Sequence, residues 1–277
     1  MILKSYSKIN LSLRVNEKLK SGLHEIQSYY CLINLSDKIQ ISKIKDKKDI
    51  ISFKGPCAIK IKKENNSVIN LLKLLRKLKL ISNFYKVNIT KNIPVFSGLG
   101  GGTSNAAYIL KFLLKGKIKR TVFEKIEKLI GSDLRLFFYK IGFLENLKTI
   151  KVLKKKKLVF LLARPNIDCS TSEIFSKVKH FSKKTKFFLN KINTRNKFIN
   201  HILVDKNELQ SIVERKYPII KTLLGDISTE KGCLFSRMSG TGSVCYGLYN
   251  TEINAKKALD RIKKKHSKFW FSIAKTV

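Results

Sequence analysis

The chain is short of acid. Its 19 aspartates and glutamates face 58 lysines and arginines, which leaves a formal charge of +39 at pH 7. Such an excess supplies non-specific phosphate affinity and suggests a nucleic-acid-binding protein. Arginine, however, is scarce too, at nine of the 58 basic residues. Base-reading and phosphate-clamping surfaces favour arginine forks. The lysines are also spread along the chain, clustering only at residues 154–157 and 263–265. A lysine-rich composition is the better reading, and no nucleic-acid partner is expected. Cysteine is sparse: Cys31, Cys57, Cys169, Cys233 and Cys245 are odd in number, widely spaced and never in C-x-x-C. They read as reduced thiols of a cytoplasmic protein, with neither a disulfide frame nor a zinc site. No apolar run reaches the ~18 residues of a membrane-spanning helix. Residues 1–8 lack the apolar core and small-residue cleavage site of a signal peptide, so no membrane partner is expected. Against these absences stand 277 residues with 43% hydrophobic content, enough for one large domain or two modest ones.

One stretch dominates what is present: Pro94, Val95, Phe96, Ser97, Gly98, Leu99, Gly100, Gly101, Gly102, Thr103 and Ser104, followed by Asn105, Ala106 and Ala107. Four glycines in five residues allow positive φ and close backbone approach. Thr103 and Ser104 are good N-cap residues, and Ala106, Ile109, Leu110 and Leu113 recur at helical spacing after them. A strand-like segment at 85–90 precedes the loop. A glycine loop feeding a helix N-terminus presents unpaired N–H groups and the positive end of a dipole, a device for phosphate. With no Gly-Lys-Ser/Thr it is not a Walker A loop, and the glycine order does not fit the dinucleotide fingerprint.

In chain order, residues 7–15 alternate as a strand and 21–25 form a turn. Residues 33–41 and 49–53 favour strand. Asn66 and Ser67 can cap a helix carrying Val68, Leu71, Leu72, Leu75 and Leu78 on one face. Thr121 to Glu124 reads as a capping box, and Ser132 or Asp133 opens another helix. The lysine run at 154–157 is the expected boundary, dividing 1–153 from 154–277. Helices then follow around 172–180, 208–215, 217–224 and 252–264, with strands at 158–163, 234–238, 244–249 and 270–274. That order gives an α+β layer with helices on one face of an antiparallel sheet. The lysine- and asparagine-rich stretch 182–200 reads as an exposed insertion.

Phosphoryl transfer needs a phosphate cradle, a positioned hydroxyl, charge neutralisation and a carboxylate. Alone, Asp133 reads as an N-cap, Lys8 as a solvated lysine and residues 239–243 as a hairpin turn. Together, Ser7-Lys8-Ile9-Asn10-Leu11, Gly22-Leu23-His24-Glu25, the 98–107 loop, Gly131-Ser132-Asp133 and Arg237-Met238-Ser239-Gly240-Thr241-Gly242 occur in the order of a known family. The chain resembles, over nearly its full length, the superfamily of galactokinase, homoserine, mevalonate and phosphomevalonate kinases. Within it, Lys-Ile-Asn and Gly-x-His-Glu narrow the resemblance to the branch acting on a cytidine-diphosphate-linked methylerythritol.

The resemblance implies an α+β fold of two domains, ribosomal-protein-S5-like then ferredoxin-like, with a cleft between them. It implies an ATP- and Mg²⁺-dependent kinase of the 2-hydroxyl of that small molecule, in isoprenoid precursor synthesis. Asp133 would be the base, with Lys8 polarising the same centre. Residues 94–104 would hold the ATP phosphates, with Mg²⁺ bridging those phosphates and no protein metal site. Asn10, His24, Thr171 and Phe175 would meet substrate, His24 at the cytosine edge. Another alcohol kinase of the superfamily is the nearest alternative reading. The chain departs from the pattern at three places. Thr103 replaces a serine, Arg135 stands where proline is usual, and Leu23 replaces the tyrosine that stacks on cytosine. Arg135 would either tune the base or face solvent, and Phe175 would carry most of the stacking.

Overall fold

The computed structural model describes residues 1–59, 61, 64–115 and 117–277, without the side chains of 190 and 191. The first half runs β1 (Ile2–Asn10), β2 (Arg14–Lys18), β3 (His24–Ile44), β4 (Ile50–Lys54), α1 (Ser67–Lys77), β5 (Phe84–Thr90), α2 (Gly101–Leu113), α3 (Arg120–Ile130) and a 3₁₀-helix (Ser132–Phe138). The second runs β6 (Ile141–Asn146), β7 (Thr149–Val152), β8 (Val159–Arg164), α4 (Thr171–Ser176), a second 3₁₀-helix (Leu189–Ile192), α5 (Arg195–Leu203), α6 (Gln210–Lys216), α7 (Pro218–Ser228), β9 (Cys233–Met238), β10 (Cys245–Tyr249), α8 (Glu252–Lys265) and β11 (Trp270–Lys275). Among the described residues no helix is long and apolar enough to cross a membrane.

The chain forms two compact units that interleave in sequence. The first comprises Met1–Lys8, Leu35–Val95 and Gly100–Tyr139. In it the second half of β3 pairs antiparallel with β5, and β4 adds to β5 in parallel. Strand β1 also lies on β3. Helix α1 buries Val68, Leu71, Leu72 and Leu75, the face its spacing predicts, and Asn66 caps it by accepting from the N–H groups of Val68 and Ile69. It packs on α2, which in turn packs on the first 3₁₀-helix.

The second unit comprises Ile9–Asn34, Phe96–Leu99 and Lys140–Val277. The first half of β3 pairs with β2 and β6, and β6 with β7. A separate four-stranded antiparallel sheet runs β11-β8-β10-β9. Helices α7 and α8 pack on it, burying Ile220, Leu223, Ile227, Ala255, Ala258 and Ile262. This is the expected helix-on-sheet layer.

Four local expectations are corrected. Helix α2 starts at Gly101, because Gly100 reaches the left-handed region (φ 70°) and serves as N-cap; Thr103 and Ser104 fall inside the first turn. The capping box at Thr121 does not form: Lys119 is the N-cap with no side-chain bond, and Glu124 pairs with Arg120 instead. The segment from Ser132 is a 3₁₀-helix, capped by Gly131 without a side-chain bond. Finally, 182–200 is largely exposed, as expected, but is not a free insertion. Phe198 is fully buried, Ile192 is 1% exposed, and Thr185 exchanges hydrogen bonds with the Gln27 amide.

Lys111, in the last turn of α2, is held inside the first unit. Its ammonium donates to the Phe137 carbonyl and lies 4.8 Å from the ring centroids of both Tyr108 and Phe138. Burial pushes it down to about 8. A lysine in the unfolded chain titrates near ~10.4. From about pH 8 to 10 this lysine therefore holds more proton in the unfolded state, and its own contribution to stability rises with pH. Urea unfolding of wild type and Lys111→Met across that range should show the difference growing in favour of wild type. A flat difference would show that the native environment leaves this lysine's titration unchanged.

Candidate active site

In the first unit, β1 delivers Lys8 to the interior, 4% exposed along its side chain. Its Nζ lies 3.2 Å from Asp133 Oδ2, whose side chain is 34% exposed. Asp133 sits there because Gly131 (φ 128°) ends α3 and the following 3₁₀-helix is anchored by buried Leu134, Leu136 and Phe137. A two-point ion pair from Arg135 to Glu127, each 14% exposed, fastens that turn to α3. Arg135 is thus not a solvent-facing residue.

Lys8 and Phe137 lie against the glycine segment. A Cβ placed on Gly100 would stand 2.8 Å from Phe137 Cζ and 3.4 Å from Lys8 Cε. The Lys8 stem therefore runs directly beneath the N-cap of α2. No side chain caps this helix end and no acidic residue occupies its first turn. The first-turn N–H groups and the positive dipole end are left for an anion. Ser104 is buried and turned inward: its hydroxyl is 2.7 Å from Ser5 Oγ and donates to the Tyr6 carbonyl at 2.5 Å. Gly101 is buried, Gly102 exposed and Thr103 half-buried, and before them Pro94 is buried and Val95 half-buried.

In the second unit, residues 96–99 are held by the 239–243 turn. The Val244 N–H donates to Ser97 O (3.1 Å) and Ser239 Oγ donates to Gly98 O (3.1 Å). Ser239 Oγ also accepts from the Asn10 N–H at 3.2 Å, while the Asn10 amide donates to Ser28 Oγ at 2.9 Å. Leu99 is fully buried. Phe96 points outward, 57% exposed, with φ 51°. Thr171 opens α4 and its hydroxyl is 3.2 Å from that of Thr241.

His24 stacks on Phe175 of the same unit at 5.1 Å between centroids and 27° between planes. Phe181 stacks on it as well, at 6.2 Å and 30°. Burial, then the charge of Lys18, hold the imidazole below its usual range, so at neutral pH it offers one donor and one acceptor. Leu23 beside it is 53% exposed.

Lys8, Asp133 and residues 100–104 thus come together in one unit; Asn10 with residues 96–99, and His24 with Phe175, come together in the other. Sequence reading missed Phe181, which borders the lysine-rich stretch set aside as an insertion. It also missed Ser239 as the hydroxyl linking Asn10 to Gly98. The glycines around it were the available signal.

Residues 66–130 match the model of the GHMP kinases N terminal domain, and residues 191–268 that of GHMP kinases C terminal. A Pelagibacter ubique (strain HTCC1062) protein named 4-diphosphocytidyl-2-C-methyl-D-erythritol kinase is 36% identical over 99% of this chain and 98% of its own length. A protein of the same name from Wolbachia pipientis wMel is 31% identical over 96% and 95%. The crystal structure of a 4-(cytidine 5'-diphospho)-2C-methyl-D-erythritol kinase superposes with a TM-score of 0.75 at 19% identity, covering 99% of each chain. The fold is that of the GHMP kinases. The chain belongs to the 4-diphosphocytidyl-2-C-methyl-D-erythritol kinase family among them.

Proposed function

We infer that the chain is an ATP-dependent kinase of the 2-hydroxyl of 4-diphosphocytidyl-2-C-methyl-D-erythritol, a step of isoprenoid precursor synthesis, as the names of its relatives support. One observation carries the residue assignment: the Lys8–Asp133 pair lies at the open N-terminus of α2, with Lys8 Cε against Gly100. Asp133 takes the proton of the acceptor hydroxyl as its oxygen bonds to the γ-phosphorus, and ADP leaves with the electrons of the broken P–O bond. Lys8 fixes the carboxylate and offsets negative charge near the reacting oxygens. Residues 94–104 receive the phosphates of ATP through backbone N–H groups.

The donor set suits a metal carried by the nucleotide. Mg²⁺ binds through one or two carboxylates plus phosphates and keeps several waters. Among the described residues no group of three or more His, Cys, Asp or Glu could hold a metal ion. Mg²⁺ would be held by the ATP phosphates, with Asp133, partly exposed beside Lys8, the carboxylate available to it, and would offset charge on the transferred group. Asn10, His24, Thr171 and Phe175 meet the substrate, and the family's reaction suits a cytoplasmic enzyme with no nucleic-acid or membrane partner. A coupled ADP-release assay with and without the diphosphocytidyl substrate tests the reading. ATP turnover that does not depend on that substrate would reject it.

With Leu23 in place of an aromatic ring, Phe175 is assigned the stacking contact to cytosine. Stacking a base on an aromatic side chain is worth about 1–3 kcal/mol. Phe175→Ala should therefore raise the substrate KM about tenfold or more, at about 1.4 kcal/mol per decade, and leave the ATP KM alone. An unchanged substrate KM would place the base elsewhere.

A further inference from the structure

One buried carboxylate of the first unit takes no part in this chemistry. Asp37, on β3, is fully buried. Its Oδ1 accepts from the N–H groups of Asn92 (2.7 Å) and Ile93 (2.9 Å). Its Oδ2 accepts from Lys91 Nζ and from Asn105 Nδ2, the latter at 2.9 Å. Lys91, 2% exposed, also donates to Asn105 Oδ1 at 2.9 Å. Residues 91–93 lead into the glycine segment and Asn105 follows it. A single carboxylate thus holds both stems of residues 94–104.

The network lies immediately under the helix end. A Cβ placed on Gly101 would stand 2.9 Å from Ile93 Cγ2 and 3.4 Å from Lys91 Nζ. From Asn105 the bonds continue to Ser5 Oγ (3.0 Å), which meets Ser104 Oγ at 2.7 Å. Burying an ion pair contributes little net stability, because desolvation offsets the attraction. Fixed geometry is what such a pair supplies here.

We propose that Asp37 is the positioning residue of the ATP phosphate loop: it clamps both loop stems and so sets where the first turn of α2 presents its N–H groups. Asp37 touches neither substrate and acts through Lys91, Asn92, Ile93 and Asn105. The proposal rests on the reading of residues 94–104 as the phosphate loop.

The test is steady-state kinetics of the full chain with Asp37→Asn, which turns one accepting oxygen into a donor facing two donors. Asn105→Ala, which cuts the α2 stem while leaving the Lys91–Asp37 pair, decides alone if Asp37→Asn does not fold. The ATP KM should rise by about tenfold or more in Asp37→Asn and severalfold in Asn105→Ala, with the diphosphocytidyl-substrate KM within about twofold. A lower melting temperature with both KM values unchanged, or an equal rise in both, would make the network merely structural and overturn the proposal. Gly98→Ala separates the two readings. If it weakens ATP while the Asp37 and Asn105 variants do not, the loop assignment stands and the clamp falls. If it leaves the ATP KM unchanged as well, the loop assignment itself falls.

Discussion

Asp133→Asn is expected to lower kcat by about 10²–10⁴ and to leave the ATP KM nearly unchanged, the usual range for loss of a general base. The amide keeps the carboxylate's shape and can still accept from Lys8 through its oxygen, where Nζ now lies 3.2 Å from Oδ2. What it loses is the ability to take a proton. The fold should survive, because the segment is anchored by Leu134, Leu136 and Phe137, all fully buried, and by the Arg135–Glu127 pair. Single-turnover measurements with saturating ATP isolate the chemical step. Turnover within about threefold of wild type would remove Asp133 from proton transfer.

The second large effect concerns Gly98. Its φ of +74° lies in the left-handed region, and a Cβ there would stand 2.0 Å from the Ser239 carbonyl oxygen. That oxygen belongs to backbone, so the contact is not relieved by turning a side chain. In Gly98→Ala the 96–99 segment must move off the 239–243 turn, giving up the bonds from Ser239 Oγ to Gly98 O and from Val244 N to Ser97 O. The left-handed backbone adds roughly 1–2 kcal/mol of strain for a residue with a Cβ. Affinity for a non-hydrolysable ATP analogue, by calorimetry, should fall about 100-fold, equivalent to about 2.7 kcal/mol. Far-UV dichroism and a cooperative melt should persist. Retained affinity would mean that residues 96–99 serve only as a turn.

What could be read from sequence was whatever is local and periodic. The apolar face of α1 was legible because helical spacing alone determines which side is buried. The glycine run was legible because few residue types reach those backbone conformations; Asp133 was legible only through the family resemblance, since alone it reads as an N-cap. Asp37 was not. It alternates in phase with Ile33, Leu35, Ile39 and Ile41 and so falls on the inward face of the strand, but the partners that give it a use lie 54 and 68 positions away. The exposure of most of 182–200 was legible, but its docking was not, because lysines outnumber the few residues, Ile192 and Phe198, that decide it. The α2 cap was misplaced because Thr103 and Ser104 are better N-caps than glycine by propensity. Gly100 reaches the left-handed region, and Ser104 turns to Tyr6 instead.

The interleaving of the two units bears on how the protein is made. The chain passes from one unit to the other at five points, after Lys8, Asn34, Val95, Leu99 and Tyr139. On the ribosome, residues 9–34 and 96–99 emerge long before residues 140–277, with which they pack. The second unit therefore cannot close until synthesis is nearly complete; β2 and the first half of β3 can pair with each other early, but β6 is not yet there to extend them. No single cut of the gene releases either unit whole. A nascent chain arrested at residue 139 carries Ile9, Leu11, Tyr30 and Ile33, all fully buried in the finished protein, without the 140–277 segment that completes their unit.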